Sequence, residues 1–277
     1  MDGTEPSRTA QGVAAERAVL THMGVLADPV ARQMLTPSLA AITSAVERLP
    51  ARVRARSSTL ASLAARVLWF DAQVADALDA GIGQVAVIGA GYDSRAWRFR
   101  RDGVRFFELD HPATQREKAR RAPGSGPTYV EADLTAQSAA EALREGGLEV
   151  SRPALFVVEG VTMYLDESVV RDQFAALAAA SAAGSRLAAD FYPPRRAGTP
   201  SNRRQRWLQR LARAGGDEGF RLAVDRPRAR ALVAAAGWEV VEATSLRDAA
   251  VALVPRASGL PVEAVNEHKT LVAGRRA

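Results

Sequence analysis

The stretch Gln84–Arg98, QVAVIGAGYDSRAWR, constrains this chain more than any other. Val85, Val87 and Ile88 make a short apolar run, as a strand buried on both faces requires. Gly89 and Gly91 then permit a tight turn in which a ligand approaches the backbone around Ala90. Asp93 or Ser94 can cap the helix that follows. A glycine turn between a strand and a helix is how a doubly wound α/β sheet presents a nucleotide-type ligand site.

The residues of the loop bear on which ligand. A dinucleotide fingerprint calls for a third glycine, where this chain has Ser94. It also calls for a helix N-terminus open to a pyrophosphate, and Asp93 stands beside that end. A carboxylate there repels phosphate and suits a cofactor that lacks phosphates and carries positive charge. S-adenosylmethionine (SAM) is such a cofactor, with a sulfonium, an ammonium and one carboxylate. On the loop alone, Asp93 reads equally well as a helix cap.

The rest of the chain continues the α/β rhythm. Helices are expected at Gly12–Leu26, Asp28–Leu35 and Leu39–Arg48, with Pro50–Arg56 as a basic link. Ser57 or Ser58 caps a long helix, Thr59–Ala80, on which Leu60, Leu63, Val67, Phe70, Val74 and Leu78 recur at helical spacing. After the first strand, Gln84–Ile88, come strands at Val104–Leu109, Thr128–Glu131, Ala154–Val158 and Ser185–Phe191. Helices at Ala113–Arg121, Ala136–Glu145 and Glu167–Ala182 lie between them. The segment Pro193–Phe220 breaks the alternation with an arginine-rich stretch and a helix at Ser201–Ala214. Helix Pro227–Ala236 and strands Trp238–Thr244 and Lys269–Ala273 complete the pattern. This order predicts a doubly wound, mostly parallel, seven-stranded Rossmann-like sheet with helices on both faces. Residues 1–277 read as a single domain. Residues 1–80 form a helical layer over the cofactor end, and 193–222 an inserted helical cap over the acceptor.

Composition excludes several functions. The chain has no cysteine, which removes disulfides, thiol catalysis and cysteine-ligated metals. His22, His111 and His268 are its three histidines, and they are scattered, so no metal site is expected. No apolar run is long enough to span a membrane, and the first residues lack the basic start and apolar core of a signal peptide. A cytoplasmic protein with no membrane partner is therefore expected. The net charge is +6, but the basic residues are nearly all arginine. Lys118 and Lys269 are the only lysines, and alanine is abundant, a pairing that GC-rich coding produces. No basic patch with interleaved aromatics is visible, so no nucleic-acid partner is expected.

Ligands of such sheets bind outside the C-terminal ends of the strands. Each of the first four strands meets an acid there: Asp93, Asp110, Asp133 and Glu159. Asp110 follows the glycine turn at the spacing of a carboxylate that holds ribose hydroxyls. Asp133 falls one strand further across, where an adenine amino group can donate to it beside the Leu134 backbone. Glu159 can face an ammonium or the sulfonium. Four carboxylates on one edge repel each other unless a cation sits among them, which again points to SAM.

The sequence also resembles the leucine carboxyl methyltransferase family, in its actinobacterial small-molecule O-methyltransferase branch. The resemblance lies in SRTAQGVAAERA (Ser7–Ala18), DPVAR (Asp28–Arg32), AARVLWFD (Ala64–Asp71), VIGAGYDSRAWR (Val87–Arg98), FELDHPATQREK (Phe107–Lys118), ADL (Ala132–Leu134) and VEGVTMYL (Val158–Leu165). It implies roles residue by residue. Arg66 would hold the SAM carboxylate, and Gly89, Ala90 and Gly91 would line the methionine part with Asp93. Asp110 would hold the ribose, Asp133 with Leu134 the adenine, Glu159 would sit near the amino group, and His111 would be a further cofactor contact. Tyr164 matches the family tyrosine after the fourth strand. The chain departs from the family pattern at His111, Thr162 and Leu68.

These readings predict a SAM-dependent O-methyltransferase that acts on a carboxylate of a small, anionic, polyketide-like acceptor in natural-product biosynthesis. A carboxylate is ionised at neutral pH and needs no general base, whereas a hydroxyl needs one. Tyr164 and His22 are the catalytic candidates, neither a convincing base. Met23, Tyr192, Arg196 and Trp207 are candidate acceptor contacts. A hydroxyl acceptor, an NAD-type oxidoreductase and a non-catalytic binding protein are the alternatives.

Overall fold

The computed structural model describes residues 6–194 and 220–277. Helix α1 (Arg8–His22) opens the chain, with the Ser7 hydroxyl accepting from the Ala10 N–H at 3.2 Å. A 3-10 turn (Ala31–Met34), α2 (Pro37–Glu47) and a short α3 (Ala51–Arg54) follow. The expected link at 50–56 thus contains a helical turn. Helix α4 (Ser58–Asp79) is capped by Ser57, and the six apolar residues at helical spacing are all buried.

Strand β1 (Gln84–Ile88) has the expected bounds and leads through the glycine turn to α5 (Arg95–Arg98). Then come β2 (Arg105–Asp110), α6 (Pro112–Arg121), β3 (Thr128–Glu131), α7 (Ala139–Glu145), β4 (Leu155–Val158), α8 (Glu167–Ala179) and β5 (Arg186–Phe191). The C-terminal part supplies α9 (Arg226–Ala235), β6 (Glu239–Ser245), α10 (Leu246–Leu253) and β7 (Thr270–Arg275). Helix α10 had no counterpart in the sequence reading. It starts without a linker where β6 ends, because the Ser245 hydroxyl accepts from the Asp248 N–H at 3.0 Å and so caps the helix.

The seven strands run in the order β3-β2-β1-β4-β5-β7-β6. The first five are parallel, and β7 is antiparallel to both β5 and β6. Side-chain alternation divides the core between the faces. Val85, Val87, Leu155 and Val157 pack under α4 and α10. Ala86, Ile88, Phe107, Phe156 and Val158 pack under α7, α8 and α9.

The N-terminal helices do two separate jobs. Helix α4 lies on a face of the sheet. Residues 10–40 instead form a third cluster in which Ala14, Ala18, Val30, Ala31, Met34 and Leu35 pack with Tyr92 of the glycine turn. Most of the proposed 193–222 cap, with Arg196 and Trp207, lies outside the described residues.

Candidate functional site

Parallel register brings the ends of the first four strands to one edge. Ile88 pairs with Leu109, Asp110 with Glu131, and Val87 with Val157. At that edge the N–H groups of Gly89 and Ala90 both donate to the Leu109 carbonyl, at 2.7 and 3.1 Å, and fold the turn back over β2. Gly89 has φ +64° and Gly91 φ +50°, a region that side chains disfavour. Space forbids a side chain as well. A Cβ on Gly89 would lie 2.3 Å from Val161 Cγ2, and one on Gly91 2.8 Å from Ala10 Cβ. The glycines therefore admit the chain's own neighbours, Val161 and helix α1, on the side a Cβ would occupy.

Asp110 is tied to this turn. Its Oδ2 accepts from the Gly91 N–H at 2.5 Å and its Oδ1 from the His111 N–H at 2.6 Å. Burial pushes its carboxyl above the usual range, against the pull of those two donors. His111 caps α6, its Nδ1 accepting from the Ala113 N–H at 3.3 Å. Asp133 is exposed and organises the next loop, its Oδ1 accepting from the Thr135 hydroxyl at 2.7 Å and N–H at 2.9 Å. Those bonds hold its carboxyl below the usual value. The Leu134 carbonyl accepts from Gln173 Nε2 at 2.9 Å, which ties the loop to α8.

At the centre of the edge lies a buried network of charge. Arg66 of α4 donates from Nε to Glu159 Oε1 at 2.8 Å and from Nη1 to the Tyr192 hydroxyl at 3.3 Å. Arg95 donates to Glu159 Oε2 at 2.7 Å, to Asp71 Oδ1 at 2.8 Å, and to Asp93 Oδ2. Arg98 pairs with Asp71 at 2.6 Å, and Arg17 with Asp28 at 3.0 Å. Ser94 joins these pairs, donating to Asp28 Oδ2 at 2.7 Å and accepting from Arg98 Nε at 2.9 Å. Four guanidiniums (Arg17, Arg66, Arg95, Arg98) thus face four carboxylates (Asp28, Asp71, Asp93, Glu159). Burial alone would raise the Asp93 carboxyl, but Arg95, helped by Arg17, Lys118 and Arg98, holds it at about 2. Burial likewise opposes ionised Glu159, and Arg95 and Arg66 outweigh it.

This corrects one step of the sequence reading. The strand-end acids need no ligand to hold them together, because Arg95 and Arg66 neutralise Asp93 and Glu159. Asp93 also accepts from the Arg95 N–H at 2.7 Å, the capping role left open above. The structure adds residues to which the sequence reading gave no role: Arg95, Asp71, Asp190 and Lys269. Asp190 accepts from the Gly160 N–H at 2.7 Å and pairs with Lys269 at 2.7 Å. The Lys269 ammonium also lies 3.9 Å from the centre of the Tyr192 ring. Since β7 is antiparallel, the residue before its first position reaches the same edge as the ends of β4 and β5. The signal in the sequence was Lys269 itself, one of two lysines in an arginine-rich chain.

The acceptor candidates divide. Phe220 joins Tyr164 to Tyr192, with ring centres 5.9 and 5.2 Å away. Met23 is half-buried against the first core cluster, and His22 is exposed at the end of α1. Among the described residues, no group of three or more histidine, aspartate or glutamate side chains is placed to hold a metal, and no helix is long and apolar enough to cross a membrane.

The seven-stranded order with β7 reversed, the glycine turn and the acids at the strand ends define the SAM-dependent methyltransferase class. The family profile for leucine carboxyl methyltransferase matches residues 10–178. A Mycobacterium avium (strain 104) protein, provisionally named an S-adenosyl-L-methionine-dependent methyltransferase, is 32% identical over 264 residues, covering 86% of this chain and 83% of the relative. A Mycolicibacterium paratuberculosis protein with the same provisional name is 31% identical, with the same coverage. The chain belongs to the leucine carboxyl methyltransferase family, and its cofactor is SAM. Two crystal structures share the fold, each at 18% identity. One, provisionally described as a methyltransferase from Thermobifida fusca YX, has a TM-score of 0.60 and covers 99% of this chain and 96% of its own. The other, a DUF574 family protein from Streptomyces avermitilis MA-4680, has a TM-score of 0.57 and covers 95% of this chain and 97% of its own.

Proposed function

We propose that the protein transfers the methyl group of SAM to a carboxylate oxygen of a small anionic acceptor and releases a methyl ester. The observation that carries the cofactor end of this reading is the placement of Arg66. Its guanidinium is held by Glu159 and Tyr192, and its Nη2 has no hydrogen-bond partner among the described residues. It can thus meet the carboxylate of SAM, while Glu159 takes the ammonium. Asp110 still has lone pairs for the ribose diol beside the two N–H groups it already accepts. Asp133 and Leu134 border the adenine, and Ala90 and Gly91 the methionine chain.

When bound, SAM supplies the electrophilic methyl group. The chain must align the acceptor oxygen opposite the sulfur and keep water out. Neither histidine candidate is a persuasive base. The His111 Nδ1 is engaged in capping α6, and His22 stands exposed at a helix end. A carboxylate acceptor removes the need for one, and the family description names a carboxyl methyltransferase. Tyr164 and Tyr192, each in edge-on or tilted contact with Phe220, offer a ring surface for the acceptor's apolar part. On this reading the enzyme works in the cytoplasm, in natural-product biosynthesis.

Product chemistry tests the reading. With methyl-labelled SAM and a carboxylic-acid acceptor, the label should become volatile methanol in mild alkali. Label that stays non-volatile would mean a methyl ether and a hydroxyl acceptor. The chemical step should also be nearly flat above about pH 5, because a carboxylate has a reference pKa near 4. The cofactor end is tested separately by Asp110→Ala, which should weaken SAM by about 1–3 kcal/mol in calorimetry, the scale for hydrogen bonds to a charged group. Unchanged affinity would remove Asp110 from the ribose.

A further inference from the structure

We infer that Arg95 is a positioning residue for the amino-acid end of the cofactor, acting through Glu159. The inference rests on the cofactor placement proposed above and extends it to a residue 1% exposed.

Arg95 spans three elements with three donors. Its Nε binds Asp71 of α4, its Nη1 binds Asp93 after β1, and its Nη2 binds Glu159 after β4. A planar guanidinium fixes three directions at once, which an ammonium cannot. The Asp71 anchor is itself braced by Arg98, through Nη1 to Oδ2 at 2.6 Å and Nη2 to Oδ1 at 3.0 Å. The Arg95 guanidinium also lies 5.7 Å from the centre of the buried Phe70 ring.

The consequence falls on Glu159, each of whose oxygens belongs to a different arginine. Oε1 takes the Nε of Arg66, and Oε2 takes the Nη2 of Arg95. Left to themselves, an arginine and a carboxylate close into a two-bonded fork. Such a fork would draw both Glu159 oxygens onto Arg66 and occupy Nη2, which makes no hydrogen bond to a described residue. Arg95 keeps Oε2 and so prevents that closure. It leaves Arg66 with an edge for the cofactor carboxylate and sets the plane in which Glu159 meets the ammonium. Arg95 does this without touching the cofactor.

The experiment is equilibrium binding of two ligands to the full chain. S-adenosylhomocysteine carries the amino-acid end, whereas 5′-methylthioadenosine shares the adenosine and thioether but lacks that end. Wild type, Arg95→Lys, Glu159→Gln and the double variant are compared, with Arg230→Ala, on the exposed face of α9, as control. Arg95→Lys should weaken S-adenosylhomocysteine about tenfold or more and leave methylthioadenosine within about twofold. In the Glu159→Gln background, Arg95→Lys should add less than about twofold, as residues acting as one unit do. Should Arg95→Lys fail to fold, Asp71→Asn removes its far anchor and must show the same pattern. Equal weakening of both ligands would mean a purely structural role and would overturn the proposal. So would wild-type affinity for S-adenosylhomocysteine, or losses that multiply with those of Glu159→Gln. A wild type that binds neither ligand would overturn the cofactor placement, and this inference with it.

Discussion

Arg66→Ala is expected to weaken S-adenosylhomocysteine by about 2–5 kcal/mol, the cost of truncating one partner of a buried, hydrogen-bonded charge pair at a binding site. The guanidinium side chain is 11% exposed, and the Glu159 carboxylate that holds it is 12% exposed. Water therefore screens the contact little. Burial works against the charge on Arg66, and Glu159 more than restores it, so the guanidinium stays protonated throughout the working range. Arg66→Lys should recover only part of the loss, since an ammonium cannot serve Glu159, Tyr192 and a ligand carboxylate in one plane. Calorimetry on the purified variants measures both. A loss of less than about tenfold, or about 1.4 kcal/mol, would show that the guanidinium does not grip the ligand.

Lys118→Met should destabilise the fold by about 3–5 kcal/mol at neutral pH, because it leaves Glu108 buried without its cation. Lys118 and Glu108 form a salt bridge with side chains 1% and 0% exposed. The pair joins α6 to β2, next to the Trp97 ring, whose centre lies 5.7 Å from the ammonium. Burial pushes the Glu108 carboxyl up to about 7, although Lys118 pulls it down. A carboxyl raised above its unfolded value of 4.5 binds its proton more tightly in the folded chain. Its contribution to stability therefore falls as pH rises from about 4.5 to about 7. Without Lys118 the carboxyl rises further and the fall extends to higher pH, so the variant should lose more at pH 8 than at pH 5. Replacing the pair by Glu108→Leu and Lys118→Met together should restore most of the loss, since two apolar groups need no partner. Urea unfolding of the two variants at both pH values decides it. A double variant as unstable as the single one would show that Lys118 works through something other than Glu108.

Much of this protein can be read in its local patterns. The run Val85–Ile88 is a buried strand because it is wholly apolar, too short for a helix and followed at once by glycine. The stripe Leu60–Leu78 is a buried helix face because six apolar residues at helical spacing leave no alternative. The strand-end acids follow from the parallel topology, which sends every strand's C-terminus to one edge. Collinear blocks from Ser7 to Leu165 made the family legible as well.

Other features depend on contacts between residues far apart in the chain. The start of α10 is marked locally by the Ser245 hydroxyl, which accepts from the Asp248 N–H, but the packing of that helix against α4 is tertiary. The reversed direction of β7 brings Lys269 beside Asp190 and Tyr192, a meeting across nearly eighty residues that no spacing encodes.

The sequence by itself determined the strands of the sheet and the acids at their C-terminal edge, because strand, turn and helix are set by neighbours. Only the tertiary structure decided how those acids are neutralised. Asp93 and Glu159 looked like charges waiting for a cation, and the chain already carries the cations in Arg95 and Arg66. Charge pairing falls off with distance in space rather than along the chain. Arg95 and Glu159, 64 positions apart in the chain, had to be brought together by folding before their 2.7 Å contact existed.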